Sequence, residues 1–145
     1  MIEDLYQEII LDHYRSPRNR GALDNADIRG HDDNPVCGDE ITLFVRIDDD
    51  DRIDEITFDG HGCSISMASA SMMTELLRGL PVPEAAAKIE DFRRMMRGET
   101  EPDPDTVADE LGDIAALLGV RKFAVRVKCA TLAWSTLARA LEKRS

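Results

Sequence analysis

The residues best equipped for chemistry are three cysteines, at positions 37, 63 and 129. An odd count at such wide spacing is not a secreted disulfide framework, so reduced thiols in a reducing compartment are expected. Cys37 stands in NPVCGD, where Pro35 restricts the backbone and Gly38 permits positive φ, so a tight turn presents the thiol. Cys63 stands in GHGCS, between an extended segment and a helix start, and a helix N-terminus stabilises a thiolate. Cys129 stands in VRVKCATLAW near the start of the last helix, beside Arg126 and Lys128, two cations expected to lower its pKa. A free cysteine is usually a small buried hydrophobe, and no CxxC pair is present. Two of these three have glycine neighbours, however, and all three fall at junctions between elements. That pattern suits a metal site or a sulfur-transfer site, and thiolates select zinc or an iron–sulfur cluster over magnesium or calcium.

Closed tetrahedral zinc needs a fourth ligand. Asp39 is the nearest candidate, because residues i and i+2 of an extended chain share a face and Cys37 and Asp39 can converge on one ion. A turn-forming aspartate is the plainer alternative. His61, two residues before Cys63, is the competing ligand, although an exposed loop histidine is its simpler reading. His13 and His31 read as surface or helix-face residues. Three thiolates and a carboxylate around a divalent ion leave about two net negative charges, which Arg126 and Lys128 partly offset. Cys37, at the turn tip, is the thiol expected to exchange off the ion and act as nucleophile.

The elements that must bring these residues together follow from periodicity. Ile2, Leu5, Tyr6, Ile9 and His13 mark an amphipathic helix over 2–15, ended before Pro17. Residues 22–36 are ambiguous, with one irregular edge strand carrying Ile28. Ile41, Leu43, Val45 and Ile47 alternate with Thr42, Phe44 and Arg46, a clear strand, and Arg52 to Phe58 supplies a second across a charged turn at Asp48–Asp51. The two form an antiparallel hairpin. After Gly62 the period becomes helical: Ile65, Ala68, Met72 and Leu76 form a stripe closed by Gly79 and Pro81, and Pro83 opens a helix through Ala85, Ile89, Phe92 and Met96. Beyond the acidic loop GETEPDPD, Asp105 or Thr106 caps a helix through Val107, Leu111, Ile114 and Leu118 that Gly119 closes. A last helix carries Ala130, Ala133, Leu137 and Leu141. The expected architecture is α+β, about three antiparallel strands packed against several helices, in a single domain over 1–145.

Composition narrows the function classes. The 145 residues include 18 Lys plus Arg against 29 Asp plus Glu, a net charge of −11. That balance excludes a general nucleic-acid binder, which depends on cationic patches, and disfavours docking on an anionic membrane. No apolar run is long enough to span a bilayer, and the start MIEDLYQEII has none of the features of a secretory signal, so a cytoplasmic location is expected. The acidic runs at 48–51 and 99–110 read as solvated faces, and Met67, Met72, Met73, Met95 and Met96 as core filler. SISMASASMM reads as a tightly packed helix opening. The arginines of DHYRSPRNRG read as a solvated loop or a docking patch.

At the cysteine motifs the chain resembles a known family. IILDHYRSPRNRG, NPVCGDEI, GHGCSISMASASMMTELLRG and RVKCATLAW resemble, nearly end to end, the SufU branch of the U-type iron–sulfur assembly proteins, relatives of the IscU scaffold. The residue before Cys129 is Lys128 where IscU scaffolds have histidine, and their Leu-Pro-Pro-Val-Lys chaperone motif is missing from RKFAVRV. GETEPDPDTVADELGDIAALLGV resembles the insertion of the SufU branch. The resemblance implies an IscU/SufE-like fold, with zinc held by Cys37, Asp39, Cys63 and Cys129, Cys37 as sulfur acceptor and Arg126 as the functional arginine. It implies a sulfurtransferase role as co-substrate and activator of a pyridoxal-phosphate cysteine desulfurase of the SufS type. The sulfur then passes to a downstream iron–sulfur scaffold complex. On this view the desulfurase offers the zinc a replacement ligand, which frees Cys37 to attack. The alternative within the same family is a scaffold that assembles an iron–sulfur cluster on these cysteines.

Overall fold

Alternation along one strand organises the molecule. In strand β2, Asp39–Ile47, the side chains of Ile41, Leu43 and Val45 are wholly buried, and Asp39 continues their phase at the first position. Strand β3, Ile53–His61, pairs antiparallel with β2, setting Ile56 against Val45 and Phe58 against Leu43. Strand β1, Ile28–Asn34, pairs on the other side, from Ile28 opposite Val45 to Asn34 opposite Asp39. The sheet order is β1-β2-β3, so the expected hairpin is present and the irregular segment with Ile28 is an edge strand. The computed structural model describes residues 2–101 and 103–144; of residues 2–5, 104 and 144 it describes only the backbone. Pro102, and the side chains of Ile2 and Leu5 in the first expected stripe, therefore lie outside the described residues.

The described residues form five α-helices, α1 (Ile2–Arg15), α2 (Ser64–Leu77), α3 (Val82–Met96), α4 (Pro104–Leu111) and α5 (Ala124–Arg144), with a 3-10 segment at Gly112–Lys122. Helices α2 and α5 pack on the strands and on each other, α1 lies against α2, and α3 against α5. Helix α5 comes so close to β1 that a Cβ on Gly30 would meet side chains of Ala140 and Thr136 at 3.2 Å. Trp134 of α5 is wholly buried, stacked on Phe92 of α3 with ring centroids 4.1 Å apart. This is the expected α+β class, and the five methionines named above are all in the core.

Helix α2 departs from a one-sided stripe. Every residue from Ser66 to Thr74 is buried, whereas Ile65 and Leu76 are only partly so. A helix enclosed on all sides must satisfy its polar side chains internally, and the hydroxyls of Ser69 and Ser71 do this by holding neighbours. Ser69 Oγ donates to the Ala130 carbonyl at 2.6 Å and accepts from Trp134 Nε1 at 2.9 Å, joining α2 to α5. Ser71 Oγ accepts from the Arg18 amide at 2.8 Å and bonds His13 Nδ1 at 2.8 Å. His13 is accordingly no surface residue. Its ring is wholly buried, and its other nitrogen bonds Asp113 Oδ2 at 2.8 Å, so α1, α2 and the 3-10 segment meet on one imidazole.

The expected helix through Val107 to Leu118 is two elements. Pro104 occupies the first turn of α4 behind an N-cap at Asp103, earlier than the expected cap, and the helix ends at Leu111 because Gly112 turns to φ 60°. Thereafter Leu111, Ile114, Leu117 and Val120 are buried, a spacing of three that matches 3-10 rather than α geometry, and Leu118 is left partly exposed. The segment runs past Gly119 to Lys122.

Candidate metal centre

The three thiols and Asp39 come from three separate stretches: the β1–β2 hairpin, the start of α2 and the start of α5. Asn34 and Asp39 close the β1–β2 hairpin, and its four-residue loop carries Cys37. The Asn34 carbonyl accepts from the amides of Cys37 at 3.2 Å and Gly38 at 2.9 Å, and Gly38 takes φ 72°, the left-handed conformation a side chain would resist. Asp39 then enters β2 facing inward. Cys63 is the N-cap of α2, and its sulfur accepts from the Ser66 amide at 3.4 Å. Cys129 lies in the second turn of α5, wholly buried, deeper in its helix than its sequence context suggested.

These groups converge. The Cys129 thiol donates to Cys37 Sγ at 3.0 Å, Cys63 Sγ lies 4.0 Å from Asp39 Oδ2, and the Cys63 amide donates to Asp39 Oδ1 at 2.8 Å. Donor atoms of Cys37, Asp39 and Cys129 all lie within 4.8 Å of one another. In tetrahedral zinc with bonds near 2.3 Å, neighbouring sulfurs are about 3.8 Å apart, so Cys37 and Cys129 would part by about 0.8 Å around such an ion. Cys63 is not within that mutual reach and joins the group through Asp39. The donor chemistry fits an ion of this kind, since soft sulfur with one carboxylate selects a thiophilic cation. Asn34 Nδ2, at the base of the Cys37 loop, and Ser66 Oγ, beside the Cys63 cap, are buried without hydrogen-bond partners among the described residues. Both are polar groups left over at the edge of the cluster.

His61 is not part of this group. It pairs with Glu40 across the β2–β3 ladder, on the opposite face from Asp39, and its Nε2 lies 4.0 Å from Glu40 Oε2 with the side chain 72% exposed. Continuing the ladder by one residue sets Asp39 against Gly62, where a Cβ would lie 2.4 Å from Asp39 Oδ1. Glycine at 62 is thus what lets the carboxylate reach the Cys63 amide. The GHGC spacing carried this signal, but only the strand register shows which group needs the room.

Electrostatics differ from the sequence expectation at Cys129. Burial, reinforced by hydrogen bonding with Cys37, Asp39 and Cys63, pushes its thiol well above the ordinary range rather than lowering it. Lys128 is exposed. Arg126, also exposed, is held in its charged form chiefly by the Cys63 sulfur and then by Cys129, which places a cation beside two of the three thiols.

A cavity of about 1230 Å³ opens onto the cluster, lined in part by Cys37, Cys63 and Arg126. Its rim carries the exposed apolar residues Val36, Phe123 and Val125. In the loop after α1, Arg18 pairs with Asp12 at 2.6 Å and Arg20 donates to the Gly60 carbonyl at 2.6 Å, both at the surface. No described helix is long and apolar enough to cross a membrane.

Residues 5–143 match the NifU-like N terminal domain. The chain is 44% identical to the zinc-dependent sulfurtransferase SufU of Bacillus subtilis, over 98% of this chain and 92% of that protein. It is 40% identical to a Streptococcus pyogenes protein named as the iron–sulfur cluster assembly scaffold IscU, over 98% of this chain and 86% of the other. A crystal structure from Fervidobacterium islandicum, assigned as an iron–sulfur cluster assembly scaffold protein for the SUF system, superposes with a TM-score of 0.84 at 36% identity, covering 96% of this chain and 98% of that one. With nearly the whole sequence and the whole fold in agreement, the chain belongs to the NifU-like N terminal domain family, as a member of its SufU type.

Proposed function

We propose that this protein is a zinc-dependent sulfur acceptor of iron–sulfur cluster assembly, taking persulfide sulfur from a pyridoxal-phosphate cysteine desulfurase and passing it to a scaffold complex. The observation that carries the reading is the placement of Cys37: it stands at a hairpin tip, lines the cavity and touches a second thiol. Cys37, Asp39, Cys63 and Cys129 would hold the zinc, which keeps thiolates deprotonated at neutral pH and shields them from oxidation. Transfer is a displacement at sulfur. The Cys37 thiolate bonds the terminal sulfur of the desulfurase persulfide, and the desulfurase cysteine leaves as a thiolate. Arg126, which lines the same cavity near Cys63 and Cys129, would offset the negative charge of the incoming persulfide. The exposed Val36, Phe123 and Val125 form an apolar collar suited to a protein partner, the kind of patch that marks an interaction site.

The test is intact-mass measurement after incubation with a SufS-type desulfurase and cysteine. The wild-type chain is expected to gain about 32 Da, one sulfur, and Cys37→Ala none. Sulfur added to Cys37→Ala in equal yield overturns the assignment. The scaffold reading is favoured by the names of several relatives. Anaerobic purification separates the two: a colourless chain with one tightly held zinc supports the acceptor, and a brown chain with labile sulfide the scaffold.

A further inference from the structure

We propose that His13, Glu75 and Asp113 form a second metal site, separate from the thiol centre, that takes a divalent cation of the manganese or ferrous class. The inference stands independently of the sulfur-acceptor reading, since it uses no cysteine and no residue of the thiol cluster.

Three elements supply one ligand each. His13 is in the last turn of α1, Glu75 near the end of α2 and Asp113 in the first turn of the 3-10 segment. One ligand atom from each residue lies within 4.8 Å of the other two, and His13 Nε2 is 2.8 Å from Asp113 Oδ2. Around an ion with bonds of about 2.1 Å, adjacent ligand atoms are about 3 Å apart and opposite ones about 4.2 Å, so small movements bring all three onto one centre. Those movements are available to the carboxylates, whose side chains are 46% exposed at Asp113 and 52% at Glu75, and water has access to fill the remaining positions. The imidazole, by contrast, is wholly buried and fixed, with Nδ1 2.8 Å from Ser71 Oγ. Ligating histidines are held in this way, because a hydrogen bond at the second ring nitrogen sets both orientation and tautomer. With its proton on Nδ1, shared with Ser71 Oγ, His13 turns an Nε2 lone pair toward the carboxylates. The ion then stands in for the proton that otherwise bridges His13 to Asp113.

Charge favours a cation at this corner. Arg18 faces it, but its guanidinium is bonded to Asp12 at 2.6 Å and lies 3.7 Å from Glu75, so Asp12 takes up most of its charge. Glu75 and Asp113 remain as two carboxylates gathered at one imidazole, a pair that a divalent ion neutralises. Donor type sets the class of ion. One imidazole and two carboxylate oxygens without sulfur suit manganese or ferrous iron, whereas the thiols of the other centre select softer cations. The location gives the ion a consequence for the thiol cavity. Tyr6 and Ile10 of α1 and Ala116 and Val120 of the 3-10 segment line that cavity, so an ion joining His13 to Asp113 stiffens its wall.

Titration of the full chain with Mn²⁺, with the free ion followed by electron paramagnetic resonance, tests the site without any desulfurase. Manganese is the probe because it has little preference for thiolates and leaves the cysteine cluster out of the measurement. Wild type is expected to bind one Mn²⁺ per chain with half-saturation below about 1 mM. Amide hydrogen exchange over residues 112–122 is expected to slow on binding. Asp113→Asn and Glu75→Gln change partly exposed side chains at constant shape, so the fold is kept, and each is expected to weaken binding at least about tenfold. Asp50→Asn, in the exposed acidic turn after β2, is expected to bind as wild type does. The proposal is overturned by an absence of saturable binding below about 1 mM in wild type, or by wild-type affinity in either carboxamide variant. An equal loss in Asp50→Asn also overturns it, since general attraction to the acidic surface then accounts for the binding. Exchange over 112–122 that Mn²⁺ leaves unchanged does the same, because an ion on Asp113 must restrain that segment.

Discussion

Asp39 shows how one side chain serves both structure and chemistry. Wholly enclosed, it accepts the Cys63 amide at 2.8 Å, and removing that acceptor leaves a buried N–H unpaired. Asp39→Ala is expected to lower stability by about 1–3 kcal/mol in urea unfolding and to lower the zinc retained per chain. Asp39→Asn keeps an acceptor for the amide but no anionic ligand, so it is expected to recover most of the stability and not the zinc. Cys129 carries a pH signature. Its folded thiol titrates above the ordinary range, so its contribution to stability is present at and below ordinary thiol pKa values, about 8.5, and is lost as pH rises toward the folded value. The metal-stripped wild-type chain is expected to lose thermal stability between about pH 8 and pH 10 more steeply than Cys129→Ala, as followed by circular dichroism. Zinc affinity is expected to move the opposite way, rising with pH, because binding displaces the thiol protons.

Among the elements, the 3-10 segment Gly112–Lys122 adds a buried polar tie to the apolar packing of Ile114, Leu117 and Val120. It forms part of the cavity wall, and His13 ties it to α1 and α2 through Asp113 and Ser71. His13→Ala opens a cavity and leaves the enclosed Ser71 hydroxyl short of a partner. It is expected to cost about 2–4 kcal/mol in urea unfolding. Amide hydrogen exchange over residues 112–122 is expected to quicken more than exchange in β2 or β3, since the strands keep their ladder. Uniform quickening across the whole chain would show that His13 supports the core as a unit rather than anchoring this wall. The segment's true character was present in the sequence as apolar residues three apart, but Leu111, Ile114 and Leu118 also fit a helical period. Only the positive φ at Gly112 decides between the two.

For the whole molecule, charge and surface shape act together. The net charge of −11 is spread over strands, turns and loops, while the mouth of the thiol cavity carries Lys122, Arg126 and an apolar rim. On the proposed function, a desulfurase whose docking surface is locally basic would meet this acidic body faster at low salt. Its stimulation would then fall as salt rises from about 50 to about 500 mM, read as an increased half-saturating concentration of this chain. A salt-independent response would remove electrostatic steering and leave the apolar rim as the whole of the recognition.

What the sequence alone determined is local. Alternation in β2 and β3, the glycine and proline stops, and the three cysteine motifs are properties of neighbouring residues, so the α+β class and the chemically capable side chains were readable before any coordinates. Asp39 was the nearest fourth partner at that level and His61 its competitor, each two residues from a cysteine. Strand register separates them: a one-residue step in a pleated chain reverses the face, which sends His61 toward solvent with Glu40 and Asp39 inward opposite Gly62. Burial of Cys129 likewise outweighs the nearby cations that sequence proximity suggested, because enclosure in the packed fold penalises the thiolate more than exposed charges favour it. Which atoms meet, and in what state of ionisation, was decided by long-range packing that no local pattern encodes.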